Sequence, residues 1–358
     1  MTTKDITYLR LINQQIAAQK FKTANKLVDF MGALQAQDYN MSKLAIGIRL
    51  PGATEKTIEQ SINKGEIIRT HALRATWHFV VAEDLRWMLN LSADKIKKQL
   101  RTRHKQLELT EKDFSKSFRI ISNMMKGGKH IAREEIVLRL KKEKFNITEN
   151  RASFILLQAE LEGIICKGMI ADNNHAYTLM DTWVPPHKEW TREQATAKLA
   201  LKYFSSHGPA TVQDFVWWSG LTVTEAKTAL HNIKQKLTSI SVASHTYWLS
   251  RQTHLPSNHA DAVYLLPAFD EFIIGYTDRT AALASQHVKR VVSSNGIFWP
   301  VVVVNGQVTG TWKRSFTTGK MTIKMDYFNP HNKTIKKQVE QRAKELENFA
   351  GKQILLTH

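Results

Sequence analysis

Four consecutive residues, Gln35-Ala36-Gln37-Asp38, carry the polar groups best spaced for chemistry in this sequence. Two carboxamides flank a methyl-sized side chain, and the conformation of the segment decides what they can do. In a helix, positions i and i+2 diverge by about 200°, whereas in an extended segment they share a face. On a shared face both amides can address one small target, with Ala36 leaving room beside it. A glutamine does not ionise, but its carbonyl oxygen can orient a water or face a developing positive charge. Asp38 has two readings: a carboxylate adding charge to the site, or the N-cap of a following helix. Ordinary loop polarity is the competing account of the two glutamines, because connections run over the surface.

The surrounding pattern places this segment between two helices. Leu27, Phe30, Met31 and Leu34 recur at helical spacing and stop where Gln35 begins, and Leu44, Ile48 and Leu50 start a second stripe. On a larger scale, three stretches share one layout: short helices, then two strands joined by a turn. In the first, over residues 5–82, a helix with Ile58 and Ile62 stops at Gly65, before the strand-like IIRTHAL and ATWHFVV. In the second, helices over 114–126 and 131–143 are separated by Gly127-Gly128. Thr148 is expected to cap a third helix through Phe154, Leu157, Leu161 and Ile164, with CKGMI and HAYTL as strands around Asp172-Asn173-Asn174.

The third stretch spans residues 190–255. A helix through Ala197, Leu201 and Phe204 ends at His207-Gly208-Pro209, and Thr211 caps a short helix ending in Trp217, Trp218 and Gly220. Thr222 or Thr224 starts the next helix, and LTSISV and TYWLS pair around Ser244-His245. Beyond residue 260 the texture turns β-like: VYLLPAF, EFIIGY, FWPVVVV, QVTGTW and MTIKMDYF, with Asn305-Gly306 as a two-residue hairpin turn and a charged helix over 333–349. The expected fold is mainly α with β: three tandem winged-helix units followed by a C-terminal β domain. The corresponding segments are 1–90, a basic connector 91–113, 114–185, 186–258, and 259–358.

The chain has 358 residues, 42% hydrophobic and 23% charged, which excludes disordered and collagen-like classes. Its 51 Lys plus Arg against 32 Asp plus Glu give a formal charge of +19, favouring a polyanionic partner. No run approaches a membrane span or a cleavable leader, so no membrane partner and a cytoplasmic, nucleoid-associated protein are expected. The single cysteine, Cys166, lies in an apolar run and reads as a small core residue. A winged helix can place its third helix in the major groove. Three in one chain would suit double-stranded DNA without dimerisation, so a monomer is expected.

Other residues qualify for lesser roles. KIKKQLRTRHK, with Lys98, Arg101 and Arg103, is either a solvated helix face or a contact to the DNA backbone. His71 and His78 invite a metal reading, but no third ligand follows at a recognised spacing, and neither metal nor cofactor is expected. Asp270, Glu271, Tyr276, Asp278 and Arg279 read as a salt-bridged hub rather than an acid/base pair. Trp312 reads as core, with Lys313 and Arg314 beside it as backbone contacts.

Four blocks, LQAQD at 34–38, RTHALRATWHFVVAEDLRWML at 69–89, LLPAFDEFIIGYTDR at 265–279 and FWPVVVVNGQVTGTWKR at 298–314, resemble in order the winged-helix alkylpurine DNA glycosylases, the AlkZ and YcaQ group. The resemblance covers nearly the whole chain. It implies three winged helices around a cationic cleft and makes Gln35 and Gln37 the catalytic pair of the Gln-x-Gln branch. It also puts His71, Arg74 and His78 at the cleft border as DNA contacts, although Arg74 paired with Glu83 or Asp84 is an equal reading. The implied activity is hydrolysis of the N-glycosidic bond of purines alkylated at N7 or N3, with bulky adducts or interstrand crosslinks as possible substrates. Two amides assist less than a carboxylate, which suits a base that is already cationic and leaves neutral. No lysine lies in the motif, so Schiff-base lyase chemistry is not indicated. A winged-helix regulator or lesion binder without catalysis is the alternative.

Overall fold

The computed structural model describes residues 1–171, 174–186, 189–242, 244–255 and 262–357. Within it the punctuation of the sequence is largely realised. Helix Thr3–Asn13 opens with a capping box between Thr2 and Asp5, and Glu111–Met124 opens with one between Thr110 and Asp113. Val212–Ser219 starts at Thr211 and ends on Gly220 at φ 72°, and Val223–Ile233 starts at Thr222, not Thr224. Both glycines after Met125 and Lys126 take positive φ, separating Glu111–Met124 from Arg133–Lys142.

Two compact units cut across the expected segments. The first comprises residues 1–58 with 196–358, the second 59–195. The second unit holds two antiparallel hairpins, Ile67–Ala72 with Thr76–Val81 and Ile165–Ala171 with Asn174–Leu179. The expected turn at Asp172-Asn173 lies outside the described residues. Between the hairpins, Ala82–Gln106 is one helix of 25 residues, so the basic stretch is no connector but its C-terminal half. Helices Glu111–Met124, Arg133–Lys142 and Arg151–Leu161 close over a core of Phe114, Ile121, Ile136, Leu140, Ile155 and Tyr177. Thr148 does not cap the last of these. Its hydroxyl donates to Asn146 (2.7 Å), and Asn150, in the left-handed region, precedes the helix without a side-chain cap. The local Asn146 turn competes with the cap for the same hydroxyl.

The first unit is organised around a five-stranded sheet. Its order is Gln353–Thr357, Lys320–Tyr327, Gln307–Thr317, Val301–Val304, Val263–Leu266. The two loop residues of the hairpin turn, Asn305 and Gly306, both have positive φ, as such turns require. The C-terminal strand, which the pattern did not foretell, pairs parallel to Lys320–Tyr327 after helix Lys333–Ala350. One face of the sheet buries Leu266, Val301, Val303 and Val308 against Leu11, Phe272, Ile273 and Leu283. EFIIGY, expected as strand, is instead the short helix Glu271–Ile274, because the Asp270 carboxylate accepts from the Phe272 amide and starts a turn. The expected boundary at 258/259 falls outside the described residues. No helix among the described residues is long and apolar enough to cross a membrane.

Candidate active site

The QAQD segment is the connection between helices that its neighbours predicted, but it is extended only as far as Gln35 and bends at Gln37-Asp38, so the two glutamines do not share one face as expected. Helix Ala24–Met31 ends on Gly32 at φ 80°, a conformation that excludes an ordinary side chain. Leu34–Gln35 is extended, and Asp38 caps helix Tyr39–Gly47 by accepting from the Met41 amide at 3.0 Å. The segment enters the interior at one end and leaves it at the other. Gln35 is 5% exposed and Ala36 fully buried, whereas Gln37 and Asp38 are exposed. Loop polarity therefore does not account for Gln35, since an amide with no task at the surface would not be shielded.

Beneath Gln35 lies a buried polar network that joins three parts of the first unit. The Gln35 amide N–H donates to Oε1 of Glu271 at 2.8 Å. Oε2 of the same carboxylate accepts from the Trp218 indole at 3.0 Å and lies 3.2 Å from Nε2 of His207. The other His207 nitrogen is 2.8 Å from the Ser206 hydroxyl. Next to Glu271, Asp270 takes both terminal nitrogens of Arg49 at 2.8 Å each, and Arg49 also donates to the carbonyls of Gln14 and Ala45. Tyr276 donates to the His207 carbonyl at 2.6 Å, accepts from Gln14 at 2.9 Å, and lies under the Arg10 guanidinium at 3.6 Å. Burial pushes the Tyr276 hydroxyl far above the usual phenol range. Of the five residues expected as a salt-bridged hub, Asp270, Glu271 and Tyr276 form this network behind Gln35, whereas Asp278 accepts from Thr280 and Arg279 donates to the carbonyls of Ile273 and Thr277.

The exposed end of QAQD has a different lining. Lys43, on the helix that Asp38 caps, is buried, bonds Glu55 at 2.8 Å and lies 4.5 Å over the Tyr39 ring. Arg314 comes from strand Gln307–Thr317. Partial burial lowers its pKa, while the charges of Asp38 and Glu55 act in the opposite direction, which places the guanidinium within electrostatic reach of both carboxylates. Its neighbour Lys313 is exposed, 5.8 Å over the ring of Trp299. Trp312 is core, as expected, with its indole donating to the Leu266 carbonyl at 2.9 Å. Two exposed aromatics were not anticipated. Trp299 is 39% exposed, and Phe316, at the far end of the Arg314 strand, is 51% exposed between the cationic groups of Arg314 and Lys352. The one cue was position: Phe316 is three residues from Gly319, at a hairpin tip where an apolar side chain has little to pack against.

The remaining candidates lie in the second unit. His71 is 2.9 Å from Glu160 through Nδ1, and its ring lies against that of Trp77 at 3.6 Å, tilted by 42°. Its side chain keeps little free surface. His78 corrects the expectation of a DNA contact, because it is fully buried. Its Nδ1–H donates to the Thr76 carbonyl at 2.9 Å, and burial, with the nearby Arg74 charge, pulls its pKa down to about 3. A neutral buried ring offers nothing to a phosphate. Arg74 is half-buried in the turn after Leu73, whose φ is positive. On the long helix, Lys98 and Arg101 are exposed one turn apart, while Arg103 donates to Gln106 at 3.1 Å.

A two-amide connection backed by a buried polar network, in a basic α/β chain with a C-terminal sheet, meets its class in the comparison with known proteins. The family DNA glycosylase AlkZ-like matches residues 28–349, and the chain belongs to that family. It is accordingly a DNA glycosylase, acting on damaged DNA. Among its relatives is the "Interstrand DNA cross-link repair glycosylase" of Streptomyces sahachiroi, 22% identical over 326 residues, spanning 85% of each protein. The solved structure of Streptomyces sahachiroi DNA glycosylase AlkZ has the same fold, with a TM-score of 0.80 over the full length of both chains at 18% identity.

Proposed function

We propose that this enzyme hydrolyses the N-glycosidic bond of purines alkylated at N7 or N3, with Gln35 and Gln37 as the catalytic residues. The supporting observation is the engagement of every carboxylate described around the pair. Asp38 caps a helix and lies near Arg314, Glu55 bonds Lys43, and Glu271 accepts from buried donors. With those carboxylates engaged, the chemistry falls to the dipoles of the amide groups. In the proposed reaction the Gln37 carbonyl at the surface orients a water, and Gln35 faces the positive charge that develops on the sugar. The water oxygen bonds to C1′, the glycosidic bond breaks, and its electron pair moves onto the base. A cationic alkylpurine thereby leaves neutral, the water proton passes to solvent, and an abasic site remains.

The reading extends to the partner surface. The three helix-and-hairpin stretches serve as winged helices on duplex DNA, and the chain acts as a monomer in the nucleoid. Lys98, Arg101, Arg74, Lys313 and Arg314 serve as phosphate contacts, Arg103 and His71 being held by their own neighbours. The name of the Streptomyces relative extends the candidate substrates to bulky adducts and crosslinks. Single-turnover release of N7-methylguanine from duplex DNA, read as alkali-labile sites, tests the assignment. Gln35→Ala and Gln37→Ala should each lower the rate at least about a hundredfold, with binding to abasic-analogue duplex retained. Undiminished release by both variants would overturn it.

A further inference from the structure

We infer that Glu271, with His207 and Trp218, is a positioning residue for catalysis, fixing Gln35 through its main chain; this rests on the assignment of Gln35 proposed above. Glu271 is 236 positions away in sequence and 1% exposed, yet one carboxylate oxygen goes to the backbone of the catalytic glutamine. A buried ionised carboxylate is costly unless its lone pairs are met. Here Oε1 meets the Gln35 N–H, and Oε2 meets the indole of Trp218 and the imidazole of His207. His207 in turn has Ser206 on its second nitrogen and the Tyr276 hydroxyl on its carbonyl. The carboxylate is therefore held rigidly from one side and holds Gln35 from the other.

The neighbouring carboxylate completes a bracket. Asp270 grips Arg49, which lies just past the C-terminus of the helix that Asp38 caps. Adjacent residues Asp270 and Glu271 thus hold the chain on both sides of Gln37-Asp38 and the following helix. Rotation or slippage of the Gln35 peptide would redirect the amide side chain it carries. A charge-assisted bond to that peptide N–H is well suited to prevent it. Positional errors of about 1 Å at reacting groups cost up to about a hundredfold in rate.

Glu271→Gln is the diagnostic change, because it preserves shape. Both ends of the carboxylate face N–H donors, so either orientation of the new amide sets its NH2 against a donor. Single-turnover release of N7-methylguanine should fall by about tenfold or more. Affinity for an abasic-analogue duplex should stay within about threefold, since the bond does not face DNA. The double variant Gln35→Ala/Glu271→Gln separates positioning from general damage. In the Gln35→Ala background, Glu271→Gln should add less than about twofold to the loss, because the two changes act through one group. An unchanged rate in Glu271→Gln, or the same fractional loss in both backgrounds, overturns the inference. Full activity of Gln35→Ala overturns the assignment of the glutamines, and this inference with it. Should Glu271→Gln fail to fold, Trp218→Phe removes a single donor to Oε2, and its rate loss must likewise vanish in the Gln35→Ala background.

Discussion

Arg49 offers the sharpest test of the hub behind the proposed active site. Its guanidinium makes five hydrogen bonds: to the carbonyls of Gln14 and Ala45, to the side-chain oxygen of Gln14, and to both oxygens of Asp270. Arg49 is fully buried and Asp270 is 2% exposed, so solvent screening does not dilute the pair. In Arg49→Met, Asp270 Oδ1 keeps only the Phe272 amide, and a carboxylate is left buried with its countercharge gone. Removing one partner of such a pair costs about 3–5 kcal/mol. That is a large share of a typical stability of about 5–15 kcal/mol. Adding Asp270→Leu removes the stranded charge. It also forfeits the helix cap, worth about 1 kcal/mol, yet the double variant should still be more stable than Arg49→Met alone. Hydrogen exchange in denaturant is the suitable assay, because it resolves the two units. Protection should fall in residues 1–58 and 196–357 and hold in 59–195. A loss below about 1 kcal/mol in Arg49→Met, or a double variant weaker than either single, would refute the reasoning.

Two further outcomes follow from titration and capping. His78 has a folded pKa of about 3 against an ordinary 6.5, so between those values the unfolded chain binds the extra proton. Its stabilisation is complete above pH 6.5 and is lost as pH falls towards 3, amounting to about 2 kcal/mol by pH 5. Urea unfolding of the second unit at pH 7.5 and 5.0 should therefore show a drop about 2 kcal/mol smaller in His78→Asn than in the native chain; equal drops would contradict the buried neutral ring. Asp38→Asn retains the cap and should keep both stability and N7-methylguanine release, whereas Asp38→Ala should lose about 1 kcal/mol. A collapse of the single-turnover rate in Asp38→Asn at unchanged stability would instead make its charge part of the chemistry.

What the sequence disclosed was what short-range periodicity encodes. Helical stripes ending at Leu34 and resuming at Leu44 place QAQD on a connection, and a carboxylate before an apolar helix predicts the Asp38 cap that is found. The Gly127-Gly128 stop, the Thr211 cap and the Asn305-Gly306 turn were legible for the same reason. The depth of Gln35 was not, because burial is set by Glu271, Trp218 and His207, all far away in the chain. EFIIGY was misread as strand since the three apolar residues Phe272, Ile273 and Ile274 fit either period, and the deciding partners, the Phe272 amide and Arg49, are invisible to periodicity. Alternation in the first hairpin gave the strand of His78 but not which face was buried. Phe316 escaped because an aromatic in a β-like run is ordinarily core.

The charge of the molecule and the chemistry of its site point in opposite directions, and that contrast bears on the substrate. With a formal charge of +19, the chain is fit to hold a polyanion. At the proposed site, however, the carboxylates described are tied to a cap, to Lys43, near Arg314, or to buried donors, so the amides act as dipoles without a free anion beside them. Dipoles stabilise a sugar cation less than an ionised carboxylate at the same distance. The shortfall must be met by the leaving group, and a purine made cationic by alkylation meets it without any proton from the enzyme. An undamaged purine, neutral and poorly leaving, does not. Discrimination against normal DNA is then a property of what the site withholds, which is why restoring an anion there should broaden the substrate range. Gln37→Asp, placed at the exposed end of the pair, is the substitution that would do so.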